Sequence, residues 1–531
     1  MSEQTKTPTV HPFLPLFDEN SRILILGSFP SVKSREQKFF YGHPQNRFWK
    51  TLAGILAEPV PQTVEEKEDF LHRNHIALWD VIQSCEITGS SDSSIRNVKP
   101  NDLSPILKEA DIQAIYCNGA KSYEYYVRYL EEQTGKKAEK LPSTSPANAA
   151  FSLEKLKENW RKICGPLKIA PAGIGETLLK WYDYHARILP WRSNPTPYHV
   201  WISEIMLQQT RVEAVKKYYD RWMEALPEIK DLAEVEEERL MKLWEGLGYY
   251  NRARNLKTAA ITVMEEYKGK LPSDYDQLRS LKGIGEYTAG AIASIAFGMK
   301  EPAVDGNVLR VFSRLLAEDG DIGKQAVKKK ITREVRRVLP AERPGDFNQA
   351  LMDLGAGICL PKGKPLCEQC PWEAVCQARK KGQEQDFPVK AAKKARKIEK
   401  KTVLLLEIYG EETRRILLHK RPANGLLANL WELPNMEGWL DREDAREKIK
   451  EQWGHYPDEG EPLGKRKHVF SHIEWHMIGY RFRIRIEEEK IRKYRKEKSE
   501  EEKSRWALVK EEETKTDYAI PSAFAGYREK I

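Results

Sequence analysis

The chain has 531 residues, 40% of them hydrophobic, which is too long for one ordinary core and suits two to four domains. A charged fraction of 31% and a mean hydropathy of −0.64 describe a soluble polypeptide, and no apolar run approaches the roughly 18 residues that a spanning helix needs. The formal charge of +9 is modest for this length, so nucleic-acid binding must be read from where the charge lies.

The residues through Phe17 show no basic-then-apolar leader, and a cytoplasmic location without membrane contact is expected. The first block opens with an apolar run over residues 22–27 that ends in glycine and reads as a buried strand before a loop. Residues 76–81 and 112–119 read as further strands, with helical segments between them, including one around 47–56. Alternating strands and helices predict an α/β sheet with functional loops at the strand C-terminal ends. The pattern breaks at residues 165–173, a joint rich in Gly and Pro. From Glu176 to about Arg379 helical periodicity dominates, which predicts an all-α domain. Between Arg379 and Lys401 there are ten Lys or Arg against three Asp or Glu, fitting either a solvated linker or a phosphate contact. Beyond it, residues 403–409 and 415–419 read as paired strands and 473–486 as further strand, an α+β block. The charge-dense segment 490–503 is expected to be an exposed helix or an insert.

Four local patterns carry chemistry. Gly283 and Gly285, in Leu281-Lys282-Gly283-Ile284-Gly285-Glu286, predict a tight hairpin between helices whose backbone amides can face a phosphate without reading sequence. Asp305, in Val304-Asp305-Gly306-Asn307-Val308, reads in isolation as a helix cap. Cys359, Cys367, Cys370 and Cys376, with seven, two and five residues between them, hold an iron–sulfur cluster or a zinc ion, and spacing does not choose. Glu204 lies inside the apolar stretch Trp201-Ile202-Ser203-Glu204-Ile205-Met206-Leu207. Burial favours the protonated form of a carboxyl, which suits a proton donor.

Taken in order, these patterns resemble the helix-hairpin-helix glycosylases related to endonuclease III. The resemblance implies a [4Fe-4S] cluster on the four cysteines, although the first gap is one residue longer than is usual there. Pro190-Trp191-Arg192, the Glu204 segment with Gln208-Gln209-Thr210, and Tyr287 narrow the likeness to the MutY type, which removes adenine mispaired with 8-oxoguanine or guanine. By that resemblance Glu204 protonates adenine N7, and Asp305 steadies the sugar cation with support from Asn307 and Tyr287. Gln209 and Tyr249 enter the duplex, Gly283 and Gly285 hold its backbone, and Gln349 lies near the adenine pocket. Lyase-competent relatives carry a lysine where Tyr287 stands, so a monofunctional enzyme is implied. The last block resembles the Nudix-like C-terminal domain of the same family through Trp431-Glu432-Leu433-Pro434. The glutamate-rich box of active Nudix hydrolases is missing after Gly438, so no pyrophosphatase activity is expected. His468-Val469-Phe470-Ser471-His472 matches the loop that senses 8-oxoguanine, with Phe470, Ser471 and His472 at the lesion and Ser471 as the hydrogen-bonding group.

The first block carries Gly27-Ser28-Phe29-Pro30-Ser31, then Tyr41-Gly42-His43-Pro44-Gln45-Asn46-Arg47-Phe48-Trp49, and later Ser145-Pro146-Ala147-Asn148. These resemble the DNA-deoxyinosine (hypoxanthine) branch of the uracil-DNA glycosylase superfamily. The likeness implies that Asn46 activates water, that Phe40 or Tyr41 stacks on an extruded base, and that Asn118 hydrogen-bonds it. The alternatives to this catalytic reading are that Asn46 is a helix cap and that the domain is a binding module. The expected layout is therefore multidomain: an α/β uracil-DNA-glycosylase-like domain over 10–164, an all-α glycosylase with a cluster module over 174–379, a basic linker over 380–401, and an α+β Nudix-like domain over 402–531. The expected partner is double-stranded DNA with A:8-oxoguanine or A:G mispairs, together with deaminated-base DNA, bound by a monomer. Two other readings stay open at this point, a bifunctional endonuclease III-like glycosylase/lyase and a lesion-binding protein with an inactive first domain.

Overall fold

The computed structural model describes residues 8–391, 395–410, 414–485 and 505–531, so the segment 490–503 lies outside the described residues. The chain forms two compact units, Met1–Arg187 with Gly298–Lys390, and Ile188–Phe297 with Ala391–Ile531. The helical stretch 174–379 contributes to both. No described helix is long and apolar enough to cross a membrane.

The first unit begins with seven strands: β1 (Thr9–Val10), β2 (Ile23–Gly27), β3 (Ile76–Asp80), β4 (Ile82–Glu86), β5 (Arg96–Pro100), β6 (Ala114–Asn118) and β7 (Ala138–Leu141). β3, β2, β6 and β7 form a parallel sheet in that order, and β1, β4 and β5 a small antiparallel one. A parallel sheet must be covered on both faces, and the strand residues are shared out accordingly. Ile23 and Ile25 enter a core with Phe48, Leu52 and Trp160, while Leu24 and Leu26 enter another with Ile82, Ile106 and Tyr126. Gly27, Asp80 and Asn118 thereby finish three neighbouring strands at one rim. The same unit holds the helices Ile174–His185, Gly306–Leu316, Gln325–Val338 and Pro344–Gly357, packed around buried Phe312, Phe347 and Trp372.

In the second unit the helix Pro197–Leu207 packs against Glu286–Phe297. Thr288, Ala289, Gly290, Ala291, Ala293 and Ser294 on the latter are buried, and such small side chains let the two backbones approach. The unit also holds β8 (Lys397–Tyr409), β9 (Arg414–Lys420), β10 (Trp431–Glu432), β11 (Asn435–Glu437), β12 (Glu461–Val469), β13 (Ile473–Arg485) and β14 (Trp506–Val509). The sheet runs β10-β9-β8-β13-β12, with β11 on β8, β14 on β9, and β13 parallel to β8. Its two faces are buried separately, around Trp431, Trp475 and Phe524 and around Leu404, Ile449 and Phe482. β8 starts inside the basic stretch that reads as linker. The cause is visible in Lys400 and Lys401, whose ammonium groups lie 5.0 Å over Trp439 and 4.9 Å over Trp475. Lysines on aromatic faces are compatible with a strand, which a charge count does not register.

Candidate functional sites

Glu204 is 4% exposed in a helix that is buried along nearly its whole length. The Tyr287 hydroxyl donates to Glu204 Oε2 at 2.5 Å, joining the two helices whose small residues let them close up. The pair arises because Tyr287 sits in the first turn after the hairpin. Gly283 has φ +84°, and a Cβ there would meet Asn255 Cβ at 2.7 Å, so only glycine suits this position. Gly285 meets nothing within 4 Å and leaves the turn open to solvent.

Gln209 (φ +60°) and Tyr249 (φ +48°) both hold left-handed backbone and are exposed, Tyr249 to 50%. Non-glycine residues in that region are strained and persist where the surroundings hold them. The holder is Arg252. Its guanidinium donates to the carbonyls of Ile205, Met206 and Gln208 beside the first loop, at 2.6, 3.2 and 2.8 Å, and of Leu247 and Gly248 in the second, both at 3.1 Å. It also lies 5.2 Å over Trp244 and 5.6 Å over Tyr249. Burial pulls its pKa down to about 10, still well above neutrality. Sequence reasoning missed Arg252, because five carbonyls from two distant segments leave no local signature.

In the other unit Asp305 caps the helix Gly306–Leu316. Its Oδ1 accepts from the Asn307 and Val308 amides, both at 2.8 Å, and its Oδ2 accepts from Asn307 Nδ2 at 2.7 Å. Arg310 continues the chain, donating to Asn307 Oδ1 at 3.1 Å, to the Gly355 carbonyl at 2.8 Å and to the Cys359 carbonyl at 2.9 Å. Asn348, fully buried, binds the Ala303 amide and the Glu301 carbonyl just ahead of Asp305. Gln349 beside it is half-buried. The carboxylate is thus a cap and also one end of a fixed polar relay that reaches the cysteine peptide.

Cys359, Cys367, Cys370 and Cys376 line one cavity of about 30 Å³, with Arg314, Trp372 and Arg379 in its wall. Burial pushes the Cys370 thiol up to about 12 and the Cys376 thiol to about 11, and the neighbouring sulfurs push the same way. Arg314 Nη1 lies 3.2 Å from Cys359 Sγ. Four sulfurs around one small cavity is the donor set a four-thiolate centre requires. Among the described residues no three Cys, His, Asp or Glu converge as ligands of a single ion.

In the C-terminal sheet Phe470 is half-buried, and its amide donates to the Ile473 carbonyl at 2.9 Å, leaving Ser471 and His472 exposed at the tip of the β12–β13 turn. Phe470 packs edge-on against Trp475 at 4.9 Å, and Ser471 Oγ is 3.1 Å from His472 Nδ1. Lys465, Arg466 and Lys467 are exposed just before the turn.

The N-terminal domain has a cavity of about 390 Å³ at the rim of its parallel sheet, lined among others by Gly27, Tyr41, Asn46, Asp80, Asn118 and Thr144. Asn46 reaches this cavity, and its Oδ1 accepts from the Phe48 amide at 3.0 Å from one residue ahead of the helix's cap position, Arg47. Both ends of the Asn118 amide are engaged by Thr144, at 2.9 and 3.0 Å, so it ties the strand end to the Ser145-Pro146-Ala147-Asn148 loop. Phe40 is 4% exposed in an aromatic cluster, and Tyr41 stacks on Phe48 with centroids 3.9 Å apart.

Residues 202–337 match the HhH-GPD superfamily of base excision DNA repair proteins, residues 14–164 the uracil DNA glycosylase superfamily, and residues 405–530 the NUDIX domain. Proteins named adenine DNA glycosylase are similar over 56% of this chain. The one from Homo sapiens is 37% identical with 64% of its length covered, that from Arabidopsis thaliana 38% with 55%, and that from Schizosaccharomyces pombe 35% with 79%. The chain thus spans 64% and 55% of the length of the first two.

Proposed function

This chain belongs to the adenine DNA glycosylase family, and we propose that it removes adenine paired with 8-oxoguanine or guanine in double-stranded DNA. The observation that carries the reading is a buried carboxyl, Glu204, held by a tyrosine hydroxyl in a helix buried along nearly its whole length. Adenine is a poor leaving group as an anion, and a proton delivered to N7 lets it depart neutral as the N9–C1′ bond breaks. Positive charge then grows on the sugar, and the Asp305 carboxylate offsets it until water adds at C1′. The adenine must leave the stack to be reached. Tyr287 engages Glu204 and has no amine, so no Schiff base forms and the strand is left uncut.

Cys359, Cys367, Cys370 and Cys376 would hold a [4Fe-4S] cluster. Four thiols lining one cavity support a thiolate-held centre at this place. Its contribution would be structural, fixing the segment to which Arg310 ties Asn307 and Asp305. Gly283, Gly285 and the exposed basic residues before Ser471 would meet phosphates. A monomer acting on DNA in a cytoplasmic, nucleoid-associated location accords with these features.

The test is base release by the purified full chain. Adenine should be freed from duplexes that pair it with 8-oxoguanine or guanine, and not from A:T. Borohydride should trap no covalent adduct. Absence of adenine release from the 8-oxoguanine duplex would sink the reading. Replacing Ser471 by Ala should lower the preference for 8-oxoguanine over guanine about threefold to tenfold, the size of one ordinary hydrogen bond. Competition between the two duplexes reads this directly.

Arg252→Ala removes the donor for five carbonyls in two loops. A loss of roughly 2–4 kcal/mol of stability is expected, together with weaker lesion-duplex binding. Denaturant melts and titrations check it. Arg252→Lys should rescue little, because one ammonium cannot span both loops.

A specific observation favours a second activity. The N-terminal cavity presents Asn46 and an aromatic wall at the ends of a parallel sheet, as a pocket for an extruded deaminated base would require. Release of hypoxanthine or uracil, lost in Asn46→Ala, tests it.

A further inference from the structure

The floor of the N-terminal cavity carries a group with no role so far. Asp80 ends β3, is 5% exposed and lines the cavity. His11 Nε2 lies 2.9 Å from Asp80 Oδ2, and His11 Nδ1 faces the Phe13 carbonyl oxygen at 2.9 Å. The His11 ring is thereby anchored between the Phe13 carbonyl and Asp80 Oδ2. Oδ1 is placed differently. It overhangs Gly27 so closely that a Cβ there would come within 2.1 Å of it, and the same Cβ would lie 3.3 Å from Tyr41 Oη. Among the described residues His11 is the one side chain bonded to the Asp80 carboxylate, and it engages Oδ2. Oδ1, which has no side-chain partner among the described residues, is left as an acceptor on the lining of the cavity.

We propose that Asp80 is the specificity-determining residue of this cavity, its Oδ1 accepting the ring N–H of an extruded lactam base. Deamination creates that N–H. Hypoxanthine has N1–H where adenine has a lone pair, and uracil has N3–H where cytosine has one. A carboxylate attracts the first of each pair and repels the second, whereas an amide could turn over and accept either. Gly27 is what lets the acceptor reach the floor, since any side chain at that strand end would occupy the place of Oδ1. Guanine and thymine also carry a ring N–H, so their exclusion falls to the shape of the walls. The inference rests on the reading of this domain as a pocket for deaminated bases, and it names the edge that is read.

The test is binding by the full chain, in the presence of excess undamaged competitor duplex, to duplexes with one cleavage-resistant 2′-fluoro nucleotide. The base is hypoxanthine, its N1-methyl derivative, or unsubstituted purine, which lacks the N–H without adding bulk. Wild type should bind the hypoxanthine duplex at least about tenfold more tightly than either of the others, the size of one charge-assisted hydrogen bond. That preference should vanish in Asp80→Asn and Asp80→Ala, with folding checked by circular dichroism. The wild-type comparison stands alone if the variants misfold. Cleavable duplexes scored in parallel separate the two ideas. An N–H preference without base release keeps the inference and removes the second activity. Equal affinity of wild type for the three duplexes overturns the inference, whatever is released.

Discussion

Glu204→Gln should lower adenine release by about 10²–10⁴-fold while changing affinity for the mispaired duplex by less than about threefold. Glutamine keeps the shape of the side chain and an oxygen to accept from Tyr287, which now donates to Oε2 at 2.5 Å. It has no acidic proton to give N7. Because Glu204 is 4% exposed and acts as a neutral acid, a neutral amide of the same shape should cost the fold little. The loss should therefore fall on the chemical step alone. Single-turnover release measured beside equilibrium binding separates the two. Tyr287→Phe should give a smaller drop, since it removes an orienting bond and leaves the acid. Turnover by Glu204→Gln near the wild-type rate would remove the proton donor from the account and leave a lesion-binding protein in its place.

What the sequence discloses and what it hides divides along a physical line. Glu204, Asp305, the Gly283–Gly285 turn and the four cysteines are legible because each sits in a short run whose chemistry is local: an acid among apolar residues, a cap ahead of a helix, glycines at a turn, thiols close in the chain. Arg252, Asn348 and Asp80 are not, because their partners come from other segments. Arg252 answers carbonyls of residues 205, 206, 208, 247 and 248, Asn348 the Glu301 carbonyl and the Ala303 amide, and Asp80 a histidine near the N-terminus. Asn46 could be read two ways; it lines the cavity, while the cap position of the helix falls to Arg47 and Asn46 only accepts from the Phe48 amide. The strand that begins at Lys397 was concealed by its own charge, because lysine ammonium groups over Trp439 and Trp475 look in sequence like solvated linker.

Asp305 poses the sharper test, because its capping role and its proposed electrostatic role use the same carboxylate. Oδ1 satisfies two amides at the start of the Gly306–Leu316 helix, and Oδ2 receives Asn307 Nδ2 at 2.7 Å. Asp305→Asn confounds the two roles by setting an amide NH₂ against that of Asn307, which cannot turn over without losing Arg310 at 3.1 Å. Asp305→Ser is cleaner. Serine is as good a cap as aspartate, so the helix start should survive, with about 1 kcal/mol lost from the missing charge at the helix N-terminus. The sugar cation, however, then has no anion on this side. Adenine release should fall by about 10²–10³-fold, the scale on which removing one preorganised electrostatic partner acts. The loss should appear in the rate at saturating enzyme rather than in duplex affinity. If Asp305→Ser keeps most of the activity along with its stability, the carboxylate is a cap and nothing more. If it loses stability by several kcal/mol, the cap, Asn307 and Arg310 form one structural unit that leads to Cys359, and the electrostatic share must be sought by varying Asn307 instead.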